Sequence, residues 1–170
     1  MKKILGPLAA ALVGAALAWP AQANVYQLGD ATNQLEFGSN LVNGNFTDRI
    51  YFDLSAAAYG AFSLQDVPVS VSIPGAGILQ VFNIDNLDLA LVDPLGVQTP
   101  LGMGDLITSG QLLDVGQNWY LQVSGDANGS AGGRYSYALY TQTVPEPATF
   151  PLMLGGAALM AWVLRRSASR

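Results

Sequence analysis

The side chains with the richest chemistry in this 170-residue chain are its carboxylates. Asp85-Asn86-Leu87-Asp88, followed by Asp93, is the densest oxygen-rich run, and a calcium ion needs about six to eight such ligands. Asp88, however, alternates with leucines, and Asp93 heads a Pro-Gly turn. The run therefore reads as a solvated strand face and a turn. No metal is assigned, and Asp85, Asp88 and Asp93 are the candidates should one bind. Asp126-Ala127-Asn128-Gly129 has only the opening of a calcium loop, without its further aspartates or distal Glu. Asp48 with Asp53, or Asp85 with Asp88, has the form of a glycosidase carboxylate pair, but such pairs arise by chance in so Asp-rich a segment. Tyr51, Tyr59, Trp119, Tyr120, Tyr135, Tyr137 and Tyr140 can either form a platform for sugar rings or fill a core.

Composition removes most other chemistry. The chain contains no His and no Cys, which excludes Ser-His-Asp and Cys-His catalysis, His-ligated zinc and disulfides. No catalytic residue is assigned, no cofactor is expected, and the chain reads as a non-enzyme. Between Asn24 and Thr143 there is no Lys; two Arg minus eleven Asp and Glu gives a formal charge of −9. Nucleic acid is not an expected partner, because phosphate binding needs clustered cations.

The elements that must position these residues are short strands. Phe46, Ile50, Phe52 and Leu54 fall on one face of their segment and Thr47, Arg49, Tyr51 and Asp53 on the other. Asp48 is the exception on the apolar face. Val67, Val69, Val71 and Ile73 alternate with small polar residues and Pro68, as do Leu87, Leu89 and Leu91 with Asp88 and Ala90. The same period recurs at Trp119, Leu121 and Val123, and at Tyr135, Tyr137 and Leu139. Period-two patterning of this kind predicts half-buried strands. Asp93-Pro94-Leu95-Gly96 suits a type I turn, Pro68 and Pro74 mark an edge strand or strand ends, and the glycines of 125–133 predict a mobile hairpin loop between the last two strands. The expected fold is all-β: an antiparallel sandwich, Greek-key or jelly-roll-like, of seven to nine strands in about 120 residues.

Both ends are apolar. Lys2-Lys3, the run Ile4–Trp19 and Ala21-Gln22-Ala23 are the three regions of a secretory signal peptide. Residues 1–23 are expected to engage the Sec translocon and to be cleaved between Ala23 and Asn24, leaving 24–143 as the exported domain and 144–170 as a tail. That tail begins Val144-Pro145-Glu146-Pro147, continues without charge from Ala148 to Leu164, and ends past Arg165-Arg166. The prolines hold Glu146 on an extended stalk. An apolar helix over 148–164 would be roughly 26 Å long, close to a bilayer core. Basic residues prefer the cytoplasmic side, which orients the Pro-Glu-Pro block outward from the inner membrane.

Block, helix and basic terminus, in that order, resemble the PEP-CTERM signal of Gram-negative bacteria. The resemblance implies recognition and cleavage near Pro145-Glu146-Pro147 by an exosortase-type membrane enzyme. It also implies delivery to the cell surface or to an extracellular polysaccharide or biofilm matrix. Gly44 to Leu54, with Phe46, Asp48 and Ile50 in place of Phe-x-Asp-x-Phe, is similar to the opening of the FxDxF group of such proteins. Gln117–Gly125 and Gly133–Leu139 are similar to that group's closing hairpin and to hairpins of bacterial pre-peptidase C-terminal domains. A secreted carbohydrate- or calcium-binding module is the alternative reading.

Overall fold

The computed structural model describes residues 22–75 and 77–144, together with Gly156, Ala157, Leu159 and Met160, which are helical. Eleven strands are described: β1 Val25–Asp30, β2 Leu35–Val42, β3 Gly44–Leu54, β4 Ala58–Asp66, β5 Val69–Ile73, β6 Gly77–Phe82, β7 Ile84–Val92, β8 Gln98–Met103, β9 Leu106–Leu113, β10 Gly116–Ala127 and β11 Gly133–Thr143. Five form one sheet in the order β1-β3-β10-β7-β8, four form a second in the order β2-β11-β4-β9, and β5 pairs with β6 as a separate ribbon.

The two larger sheets pack as a sandwich because alternate residues of their strands are apolar. In β3, Phe46, Ile50, Phe52 and Leu54 are buried while Asn45 and Arg49 are exposed. They meet Leu87, Leu89, Leu91, Leu121 and Val123 of their own sheet and Phe62, Leu64, Tyr135 and Leu139 of the other in one continuous core. Each such aliphatic or aromatic side chain contributes about 1.5–3 kcal/mol by leaving water. Trp119, Tyr135 and Tyr137 belong to this core rather than to a surface platform.

Several expectations are corrected. Eleven strands are described, not seven to nine: β1, β2, β6, β8 and β9 are too exposed to announce themselves by alternation, and the buried row of β4 is interrupted by Gly60 and Asp66. The sandwich is not wholly antiparallel: β1 runs parallel to β3, since β2 crosses to the other sheet between them. The last two strands form no hairpin. β10 pairs with β3 and β7, whereas β11 pairs with β2 and β4, so residues 128–132 arch from one sheet to the other. This arch is tied down rather than free: Asn128, Ser130 and Ala131 donate backbone N–H groups to Asn83, Gln80 and Val81, and Asn83 N–H donates to Gly132. Finally, Pro68 and Pro74 do bound β5, but its alternating valines are exposed, because among the described residues it pairs with β6 alone, outside the two larger sheets.

Candidate functional site

The inward aspartate of β3 organises the centre of the sandwich. Asp48 is fully buried, at 0% exposure. The Tyr135 hydroxyl, from β11 in the facing sheet, donates to its Oδ2 at 2.6 Å, and the Asn24 backbone N–H donates to its Oδ1 at 2.9 Å. Asn40 of β2 donates its Nδ2–H to the Tyr135 oxygen at 2.8 Å. Phe46 stacks on the Tyr135 ring, with centroids 5.7 Å apart and planes 7° from parallel, while Ile50 is buried one register on. Phe46, Asp48 and Ile50 are thus consecutive inward positions of one strand, and two of them clasp a tyrosine of the opposite sheet. Burial, and then the hydrogen bond to the Asp48 carboxylate, push the Tyr135 phenol far above its usual range, against a smaller pull from Asn40. Tyr26 shifts upward too, through burial and then the nearby Asp48 and Tyr137. Both phenols remain protonated at neutral pH.

The carboxylates considered as ligands or as an acid pair do not converge. Asp85 is the second residue of β7 and Asp93 follows its last, so at about 3.3 Å per residue they lie roughly 26 Å apart. Asp85 is held by amides: Asn83 Nδ2–H donates to its Oδ1 at 3.0 Å, and Asn128 Nδ2–H donates to its Oδ2. Asp88 lies mid-strand, opposite Ser124 and Met103. Asp93 is a turn residue, as its sequence implies: its Oδ1 accepts from Leu95 N–H at 2.9 Å and from Val97 N–H at 2.7 Å, and Gly96 has φ 84°. Asp53 accepts from Asn118 N–H at 2.8 Å on the face opposite Asp48. Among the described residues no group of three or more acidic side chains is placed to hold a metal. The partners Asn40, Asn83 and Asn128 were not foreseen, since an Asn in a strand or arch gives no period to read.

The polar face of the five-stranded sheet carries the other candidate. Tyr51 of β3 and Tyr120 of β10 are cross-strand partners with ring centroids 4.9 Å apart, and the Arg49 guanidinium lies 5.6 Å above the Tyr120 ring. Gln122 pairs with Arg49 across the same strands. Of the remaining aromatics, Tyr59 and Tyr140 are exposed on the second sheet.

At the C-terminal end, Thr143 N–H donates to Asn33 Oδ1 at 2.8 Å and Val144 N–H to the Ala57 carbonyl at 3.1 Å. Val144, the first residue of the tail, is the last described before Gly156. The sorting residues Pro145, Glu146, Pro147, Arg165 and Arg166 lie outside the described residues, as does Ala21 of the leader; Ala23 is exposed and Asn24 half-buried. No helix among the described residues is long and apolar enough to cross a membrane.

A comparison with the curated proteins gives no match. Among solved structures, the chain is similar to the pre-peptidase C-terminal domain of collagenase from Bacillus anthracis, with 17% identity over 72% of this chain and 96% of that one and a TM-score of 0.38. It is also similar to PliG, a periplasmic inhibitor of g-type lysozyme from Aeromonas hydrophila, with 16% identity over 71% of this chain and 99% of that one and a TM-score of 0.37. Neither likeness says what this chain binds. The match that bears on sorting is at the C-terminus, where residues 143–167 fit the family model described as the PEP-CTERM protein-sorting motif, starting on the last residue of β11.

Proposed function

We propose that this is an exported, non-enzymatic surface or exopolysaccharide-matrix protein of the FxDxF kind. An exosortase-type membrane enzyme would sort it and cut it near Pro145-Glu146-Pro147. The observation that carries the reading is the sorting motif at 143–167, which begins where the last strand ends, with no spacer between. An integral-membrane enzyme reading Glu146 would therefore find the folded domain directly above the bilayer. The precursor would be held in the inner membrane by a helix over about 148–164, with Arg165 and Arg166 on the cytoplasmic side. A short apolar tail behind a polar recognition block acts as a removable address. Mass spectrometry of the surface-exposed or secreted protein tests this: the segment from about Ala148 to Arg170 is expected to be missing. Glu146→Ala is expected to accumulate full-length protein in the inner membrane. Surface protein ending in an intact Arg170 would leave only a plain membrane anchor.

The Tyr51–Tyr120 pair with Arg49 above it supports a second reading, that the sandwich binds polysaccharide on its five-stranded face. Aromatic rings beside hydrogen-bonding side chains such as Gln122 suit sugar rings. Glycan-array binding that disappears in Tyr120→Ala, with the fold retained, is the expected result; no binding to any glycan would confine the domain to a scaffold role.

A further inference from the structure

Asp48 is fully buried, yet its two described hydrogen-bond donors, a peptide N–H and a phenol, are both neutral. A buried carboxylate is normally matched by a cation, because removing it from water is expensive. Residues 24–143 contain only Arg49 and Arg134, and no Lys. Arg49 lies over Tyr120 on the outer face. Arg134 is exposed and reaches Ser39 Oγ at 3.2 Å. Neither serves Asp48. The atom that does lie on Asp48, 2.9 Å from Oδ1, is the backbone nitrogen of Asn24. That nitrogen belongs to the bond read above as the leader cleavage site.

We propose that removal of the leader supplies the missing cation: the freed α-ammonium of Asn24 pairs with the buried Asp48 carboxylate and completes the core. The inference rests on cleavage between Ala23 and Asn24. Hydrolysis adds one water across that bond, hydroxyl to the Ala23 carbonyl carbon and hydrogen to the Asn24 nitrogen; at neutral pH the new carboxyl gives up a proton and the new amine takes one up. A neutral N–H···O bond becomes an ion pair without moving the heavy atoms. The rest of the attachment survives, since Arg49 N–H still donates to the Asn24 carbonyl at 2.9 Å and β1 still pairs with β3. The bonds lost are those of Gln22: its N–H to the Asn45 carbonyl, its carbonyl from Thr47 N–H, and its Oε1 from Asn43 N–H. Tyr135 donates its phenol to Asp48, and the charge of Asp48 reaches the Tyr26 phenol, which also feels Tyr137; the titratable group acting on Tyr137 is Glu36.

The chain has no Lys after Lys3, so the mature protein carries a single amine, the N-terminal one, and an amine-acylating reagent reports on it alone. The test uses protein exported and purified from cells. N-terminal sequencing comes first, and Asn24 as the first residue is expected; any other start overturns the leader reading and the proposal with it. The pH dependence of acylation is then followed in the folded protein and in urea. In urea the amine should titrate near its ordinary value of about 7.7–8.0. In the folded protein the midpoint should lie above that value, with acylation at pH 8 slowed at least ~10-fold. Burial without an ion pair would lower the midpoint instead, so a folded midpoint at or below the urea value, with Asn24 first, overturns the proposal while leaving the leader reading intact. Asp48→Asn should bring the midpoint down. If that variant does not fold, the comparison of wild type folded and in urea still decides.

Discussion

Asp48 occupies the one inward position of β3 that is not apolar, and its neighbours show why a carboxylate is tolerated there. Tyr135→Phe keeps the ring stacked on Phe46 but removes the donor to Asp48 and the acceptor for Asn40. Losing a hydrogen bond to a buried charged group should lower stability by about 1.5–3 kcal/mol, read as a drop in urea midpoint with an unchanged slope. Asp66 behaves differently. Its Oδ1 is buried with no hydrogen-bond partner among the described residues. Its carboxyl is raised above the usual value of 3.8, chiefly by burial and then by Asp105 and Asp85, against backbone hydrogen bonds that lower it. A raised carboxyl pKa means that the folded state prefers the protonated form. The favourable contribution is therefore full below 3.8 and fades as pH rises through the folded value. Asp66→Asn should stabilise the domain at pH 7 and remove that part of the pH dependence; denaturation midpoints between pH 4 and pH 7 that stay parallel to wild type would contradict it.

At the scale of the element, β3, β7, β10 and β11 were legible from a run of large apolar residues on the inward face, whereas β4 was not, although it too is buried on one face, because Gly60 and Asp66 interrupt its inward row. Edge strands and the ribbon obey no such period, so β5 was recognised as a strand but placed in the wrong environment. Pairing was the least legible feature. The glycines of 125–133 suggest a hairpin loop, but 125–127 and 133 belong to β10 and β11 and 128–132 form an arch; a glycine-rich link serves either, and the choice depends on which sheets its flanking strands join. The Asp93 turn was legible to the residue, because its side chain, proline and glycine each have a fixed place in a type I turn. The Asp48 site was half legible: its position in the pattern was visible, whereas Tyr135 and Asn40, from two strands of the other sheet, were not. The arch now makes a prediction of its own. Gly132 has φ 89°, and a Cβ there would overlap Asn43 Oδ1 and the Val42 carbonyl oxygen. Gly132→Ala should therefore lower stability by at least about 2 kcal/mol. Gly75→Ala, at a similar φ of 80° but in open space, should be milder.

For the whole molecule, the arrangement that matters is where the chain enters and leaves. Gln22 bridges to Phe46 and reaches Asn43, at the start of β3 and beside the arch. Thr143 and Val144 are held by Asn33 and Ala57, near the end of β3. The eleven residues of β3 separate these points by roughly 35 Å. With the proposed leader still attached, an upright sandwich could not keep both ends at one membrane. In the proposed mature form the tail would hold only the Asn33–Ala57 end against the bilayer, with the arch and the β5–β6 ribbon pointing away. The chain contains no Cys, so single-cysteine labels are unambiguous. Ser55 and Ser130 are both exposed and mark the two ends. In a Glu146→Ala precursor with the leader removed, reconstituted in vesicles, a donor at Ser55→Cys should transfer energy efficiently to a headgroup acceptor. A donor at Ser130→Cys, on the order of 35 Å farther out, should transfer far less. Equal transfer from both positions would mean that the sandwich lies flat, and that the tail does not set its orientation.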